Sequence, residues 1–72
     1  MSYGESAVGL SFNPSGSDDV HDCKRLFAEI IDALNDARSS TSDGEPKRLY
    51  SVAITEAQTA QMWAVKAITW RG

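Results

Sequence analysis

Between positions 20 and 34 the apolar residues are Val20, Cys23, Phe27, Ile30, Ile31 and Leu34, mostly in steps of three and four. Leu26, Ala33 and Ala37 widen the stripe. This spacing follows the helical turn and predicts an amphipathic helix of about 20 residues. Asp18, Asp22, Arg25, Glu29, Asp32 and Asp36 fall opposite and form a solvent stripe. Either Ser17 or Asp18 caps the start, where carboxylates suit the positive end of the helix dipole.

Ser39-Ser40-Thr41-Ser42-Asp43-Gly44 breaks the pattern as a loop. Ser42 and Glu45 have the spacing of a capping box. Pro46 is tolerated only within a first turn, so a second helix starts at about Ser42 to Glu45 and runs to about Thr69. Leu49, Val52, Ala53, Ile54, Ala57, Ala60, Met62, Trp63, Ala64, Val65, Ala67 and Ile68 point around most of its circumference. A helix apolar nearly all round is buried on more than one side, which a single partner helix does not supply. Self-association follows, and the alanines permit close helix approach.

Residues 1–16 read as an N-terminal arm and residues 17–72 as the helical domain. The arm is polar, apart from Ala7-Val8-Gly9-Leu10-Ser11-Phe12, whose alternation suits a strand-like edge with nothing to pair with. Asn13-Pro14-Ser15-Gly16 is a turn by composition. The fold class is therefore all-α: an antiparallel two-helix hairpin with a short N-terminal arm, assembled into a homo-oligomer.

Length sharpens that expectation. A chain of 72 residues forms one domain at most and buries only about 60% of its unfolded surface. Such chains need a staple. The lone Cys23 forms no internal disulfide, and with His21 it makes no zinc site of normal spacing, so oligomerisation is left. The N-terminal residues have no basic or continuous apolar run, and no stretch reaches the roughly 18 apolar residues of a membrane span. A soluble, cytoplasmic protein is expected. The net charge of −3 argues against general binding to DNA or RNA, though not against a local basic pocket for a small anion.

Catalysis finds little support. His21 lies near no candidate nucleophile and reads as a surface residue, while Cys23 lies on the apolar face as a core thiol. No phosphate-binding glycine loop, metal constellation or cofactor motif is present. The cations carry more information. Arg38 at the end of one helix and Lys47 and Arg48 at the start of the next are neighbours in a hairpin. Beside the free N–H groups of a helix start they form an anion trap, the alternative being solvated charge with Glu45 pairing locally. At the other end, Phe12 offers a stacking face, Asn13 and Ser15 offer hydrogen bonds, Gly16 and Ser17 offer backbone N–H groups, and Lys24 adds a cation. There the alternative is that Phe12 staples the arm to the hairpin. Trp63 reads as core or subunit interface, and Trp70 is ambiguous.

Arg48, Ser51-Val52-Ala53-Ile54-Thr55, Ala60, Trp63-Ala64 and Ala67-Ile68 resemble the C-terminal helix of a phage anti-defence hairpin domain. That domain is shared by the anti-CBASS and anti-Thoeris sponge proteins. Phe12-Asn13-Pro14-Ser15-Gly16, followed by Val20, Cys23 and Lys24, resembles the short phage members of the anti-CBASS group. The resemblance spans about residues 10–70. It implies a small helical protein, assembled into hexamers in the cytoplasm of an infected bacterium. Such a protein holds cyclic dinucleotide and cyclic trinucleotide immune messengers without cleaving them, so that effectors are starved of activator. By the same resemblance a base stacks on Phe12 and phosphates meet Lys24, while Arg48, Ser51 and Thr55 serve a separate site for larger trinucleotides. Phe12 stands where other members carry Tyr, which leaves base and linkage preference open. The rival reading is a structural or partner-binding small helical phage protein with no nucleotide ligand; a hydrolase has no constellation to support it.

Overall fold

The computed structural model describes residues 1–72 as three helices, α1 (Tyr3–Val8), α2 (Asp18–Ser40) and α3 (Gly44–Ile68), and no strand. α1 lies within the expected N-terminal arm and takes in Ala7 and Val8 of the patch expected to be strand-like. Ser2 accepts the Glu5 amide at 3.1 Å, and the Glu5 carboxylate accepts the Ser2 amide at 2.7 Å, a reciprocal capping box. The helix ends at Gly9, whose φ of 62° is the left-handed conformation a helix stop requires. The Gly9 and Leu10 amides return to the Ser6 and Glu5 carbonyls at 3.2 and 3.0 Å. Ala7 and Val8 are thereby the last turn of a helix, and the alternation through Phe12 belongs to the turn that follows.

Ser17 caps α2 by accepting the Val20 amide at 3.3 Å, with Asp18 and Asp19 in the first turn. At α3 the cap is Asp43, which accepts the Glu45 amide at 3.2 Å. The box expected from Ser42 does not form. Asp43 stands one residue closer to the helix and takes the amide, and the Glu45 carboxylate goes to Arg48. Pro46 sits in the first turn, where its missing N–H costs nothing.

α2 is the central element, packed against both α1 and α3, while α1 and α3 meet only slightly. Its buried positions are Val20, Lys24, Ala28 and Ile31. The expected apolar stripe is therefore rotated: Leu26 and Ile30 lie exposed, and Lys24 and Ala28 take the inside. The cause is α1, which lies across the side of α2 carrying Lys24, Ala28 and Asp32. Asp32 is accordingly not on a solvent stripe. It is half-buried and accepts the Gly4 amide at 2.6 Å, placing a carboxylate at the positive end of α1. Val8, Ala28, Ile31 and Ile54 form the core, with Ala7, Leu10, Phe27, Leu34 and Ala57 around it.

The long helices meet from Arg38 and Ser51 beside the loop to Val20 and Thr69 at the far end. The chain is flat, 45 × 25 × 13 Å, and its short dimension is little more than one helix diameter of about 10–12 Å. Only 8 of 72 residues are buried, so large apolar side chains stay on the surface, among them Leu49, Val52, Met62, Trp63 and Trp70. No helix is long and apolar enough to cross a membrane.

Docking of α1 rests on Gly4. A Cβ there would stand 2.1 Å from the Ala28 carbonyl oxygen, a backbone atom that does not yield alone. Gly4→Ala is expected to cost about 1–3 kcal/mol in a denaturant titration, as overpacking does. Gly44→Ala, where nothing lies within 4 Å, should instead stabilise by about 0.4–1 kcal/mol. Equal midpoints for Gly4→Ala and the parent would mean that α1 does not pack on Ala28 in solution.

Candidate functional site

The inward stripe of α2 carries a lysine where an aliphatic residue would serve packing. Lys24 is 6% exposed. Its ammonium donates to the Phe12 carbonyl at 2.5 Å and the Gly9 carbonyl at 3.1 Å, and lies 5.6 Å from the centre of the Phe12 ring. An ammonium has three donors, so one is left over. The chain's ion pairs are Arg25–Glu29 and Arg48–Glu45, and Lys24 belongs to neither. A buried cation is normally paired. This one has only neutral carbonyls, and Lys24 lines a cavity.

That cavity measures about 300 Å³ and is lined by Phe12, Asn13, Ser15, Val20, Lys24 and Thr69, with Pro14 and Val65 at its edge. The Phe12 ring is 70% exposed, so the face is free rather than stapled to the hairpin. The turn beneath it is braced internally. Asn13 donates to the Ser17 carbonyl at 2.9 Å and accepts from the Ser15 hydroxyl at 2.7 Å. The Gly16 amide donates to the Asn13 carbonyl at 3.1 Å, and the Ser17 amide to the Ser15 hydroxyl at 3.1 Å. The backbone N–H groups of Gly16 and Ser17, expected to be free, are thus spent on the turn. Gly16, with a φ of 65°, closes the turn and does not line the cavity. Asn13 and Ser15 fix the cavity wall.

The cations at the loop end do not gather around free amides of α3. Arg38 donates to the Ser51 hydroxyl at 3.1 Å and to Asn35 at 2.7 Å, and its guanidinium lies 5.5 Å from the Tyr3 ring. Lys47 donates to the Arg38 carbonyl at 2.9 Å, closing the C-terminal end of α2. Arg48 points to solvent and pairs with Glu45 at 2.5 Å. Thr55 is exposed and donates to the Ser51 carbonyl at 3.2 Å. Ser51, one turn after Arg48, is turned toward α2 by the helix phase and is half-buried, its hydroxyl accepting from Arg38. Geometry therefore unites Phe12, Asn13, Ser15 and Lys24 and keeps Arg48, Ser51 and Thr55 apart from them. Within the second group, Ser51 faces α2 while Arg48 and Thr55 face outward.

His21 is exposed and Cys23 half-buried. No three His, Cys, Asp or Glu side chains are gathered as a metal site would need. Four residues border Phe12 or α1 from α3: Val65 and Thr69, expected only as an apolar position and a helix end, and Gln58 and Gln61, for which the sequence raised no expectation. Their signal is periodic: with Ile54 they form one stripe in steps of four, three, four and four. Two glutamines inside an apolar stripe mark it as facing something other than core.

The clamp can be tested without ligand. In Lys24→Met, amide exchange at Gly9, Leu10 and Phe12 is expected to speed up about ten- to a hundredfold while helix content holds. A hydrogen bond to a charged group contributes about 1.5–3 kcal/mol. Unchanged exchange would mean the turn stands without the ammonium.

A family model described as Acb2/Tad1, hairpin domain, matches residues 5–69, and the chain belongs to that family. No curated protein and no solved structure matches the chain.

Proposed function

We propose that this member of the Acb2/Tad1 hairpin family is a phage anti-defence protein. It binds cyclic di- and trinucleotide immune messengers and sequesters them without cleavage, so that CBASS effectors are not activated. The observation that carries this reading is Lys24: a buried ammonium without a carboxylate partner, with one donor spare, beside an exposed aromatic face. A phosphate with a base attached satisfies both demands. The phosphate supplies the missing negative charge, and the base stacks on Phe12. Asn13 and Ser15 hold the wall, and Gly16 closes the turn behind it.

The larger cyclic trinucleotides are assigned to Arg48, Ser51 and Thr55. Arg48 is free to serve because its pair with Glu45 is exposed, and such pairs contribute only about 0–1 kcal/mol. Releasing Glu45 for a phosphate is therefore cheap.

The working form is an antiparallel hairpin assembled into a homo-oligomer, a hexamer by family likeness, in the cytoplasm of the infected host. Support comes from the outer face of α3. Leu49, Val52 and Trp63 all lie exposed there and fall in helical register, and Trp70 lies exposed just beyond the helix end. A chain with so small a core gains most by covering that face with its own copies.

Two measurements test this. Incubation with a cyclic dinucleotide, removal of free ligand by filtration, denaturation and chromatography should return the intact ligand. Linear products would indicate a hydrolase, and no retained ligand would leave a structural module. Phe12→Ala should weaken the dinucleotide about ten- to a hundredfold, since stacking contributes about 1–3 kcal/mol per base. Arg48→Ala should weaken the trinucleotide and leave the dinucleotide near its parent affinity; equal losses for both ligands would merge the two sites.

Light scattering tests assembly. The parent should exceed a monomer at micromolar concentration, and Trp63→Glu should reduce it to one. Trp63 is 65% exposed, so the substitution spares the single chain, whereas a carboxylate in a covered interface costs several kcal/mol. A monodisperse monomer for the parent would end the proposal of self-assembly.

A further inference from the structure

Phe12 and Lys24 separate two cavities. Besides the cavity of about 300 Å³ on the Asn13 side, a second of about 510 Å³ opens toward α1 and α3. Phe12, Lys24 and Val65 are common to both, and the second adds Gly9, Gln61 and Met62. Both volumes fall in the range of small-molecule sites, about 300–1,000 Å³. Cavities on either side of one ammonium and one aromatic ring suit a ligand with two bases and a phosphate between them.

Gln61 is the polar group that the mechanism above leaves idle. It is 6% exposed, and no hydrogen bond in the chain involves its amide. Its neighbour on the same stripe, Gln58, is engaged, donating to the Ala7 carbonyl at 3.3 Å. Burying an amide without a partner is unfavourable, and buried polar groups in folded proteins are nearly always bonded. No side-chain nitrogen or oxygen in the chain is sealed off without a partner. The Gln61 amide therefore keeps its outlet through the cavity that it lines.

We infer that the Gln61 cavity is a base-reading subsite and that Gln61 selects adenine. This rests on the cyclic-nucleotide reading and deepens it from phosphate capture to base choice. A glutamine amide offers one acceptor and a pair of donors on one plane. Its oxygen accepts from the adenine amino group while its nitrogen donates to the adjacent ring nitrogen. Guanine presents donors at N1 and N2 that a carboxylate satisfies best, and none of the residues lining the cavity carries one. The Lys24 ammonium, with two donors on carbonyls and the third assigned to the phosphate, has none left for the O6 and N7 acceptors of guanine. Met62 and the Phe12 ring supply apolar surface for the purine plane.

The test is calorimetric titration of the full chain with cyclic di-AMP and cyclic di-GMP. The parent should prefer cyclic di-AMP by about ten- to a hundredfold, the discrimination of one bidentate pair. Gln61→Met, of similar shape, should lose most of that preference by weakening cyclic di-AMP, while cyclic di-GMP changes less than about threefold. Gln61→Glu keeps the acceptor and loses the donors, so preference should turn toward cyclic di-GMP. Circular dichroism and light scattering check that each variant is folded and assembled. If either variant fails to fold, the parent's own preference decides, since equal affinities or a guanine preference would overturn the inference. A Gln61→Met variant that keeps the parent's selectivity overturns it as well and leaves the sponge reading intact. If the parent binds neither ligand, the inference falls, and the sponge reading falls with it where a cyclic trinucleotide is not bound either.

Discussion

A buried ammonium bonded only to neutral carbonyls fixes the arrangement of the Phe12 end of this molecule. Lys24 ties the Gly9 and Phe12 carbonyls to the middle of α2. This sets the path of the chain between α1 and the turn at Asn13, and with it the place of the Phe12 ring. A neutral side chain at position 24 would leave the Phe12 carbonyl without a donor and the Gly9 carbonyl with the Phe12 amide alone, and the turn free to drift. The charge gathers the backbone around itself, and its unmatched remainder makes the site fit for an anion. In the proposed function, structure and recognition draw on one group.

For Lys24 to lie inside, something must cover that side of α2, and α1 is the cover. Its six residues are far too few to be helical alone. They are held by the Ser2–Glu5 box, the stop at Gly9, and the Asp32 carboxylate at the Gly4 amide. Gly4 permits the approach, since any side chain would strike the Ala28 carbonyl. The consequence reaches across the molecule. With α1 on one side and α3 on another, α2 is covered along two sides, while α3 is covered along one side only and keeps Leu49, Val52 and Trp63 outward. The apolar excess of α3 is what an assembling helix would carry.

The long helices were legible because their signals are periodic and repeated. Val20, Phe27, Ile31 and Leu34 fix α2, and Ser17 caps it as its sequence context predicts. α1 was not legible for the opposite reason. At under two turns it has no periodicity to read, and its box, Ser2-x-x-Glu5, is a local pattern that also occurs at Ser42-x-x-Glu45. There it does not form, because Asp43 stands nearer the amide. Asp32 looked solvated for want of α1, and Leu26 and Ile30 looked buried for the same reason. The nearness of Phe12 to Lys24 could be expected from the short Asn13–Gly16 turn leading back onto the first turns of α2. Gln61 could not, since an amide in an apolar stripe gains meaning only when its lack of a partner is seen.

The charge balance shows why such a site must be built inside the fold. The chain carries net charge −3, so its far field repels a phosphate ester, and exposed cations are screened or already paired, as Arg48 is with Glu45. Attraction has to come from short range. Lys24 supplies it away from water, where the interaction with an anion is strongest and salt screens it least. Arg48 is the opposite arrangement: an exposed cation, weakly held by its neighbour and easily redirected. A small acidic protein can thus present one site preformed around a fixed charge and another assembled from mobile ones. The first suits a compact ligand that enters a pocket. The second, in the proposed function, suits a wider ligand that meets the exposed surface of α3.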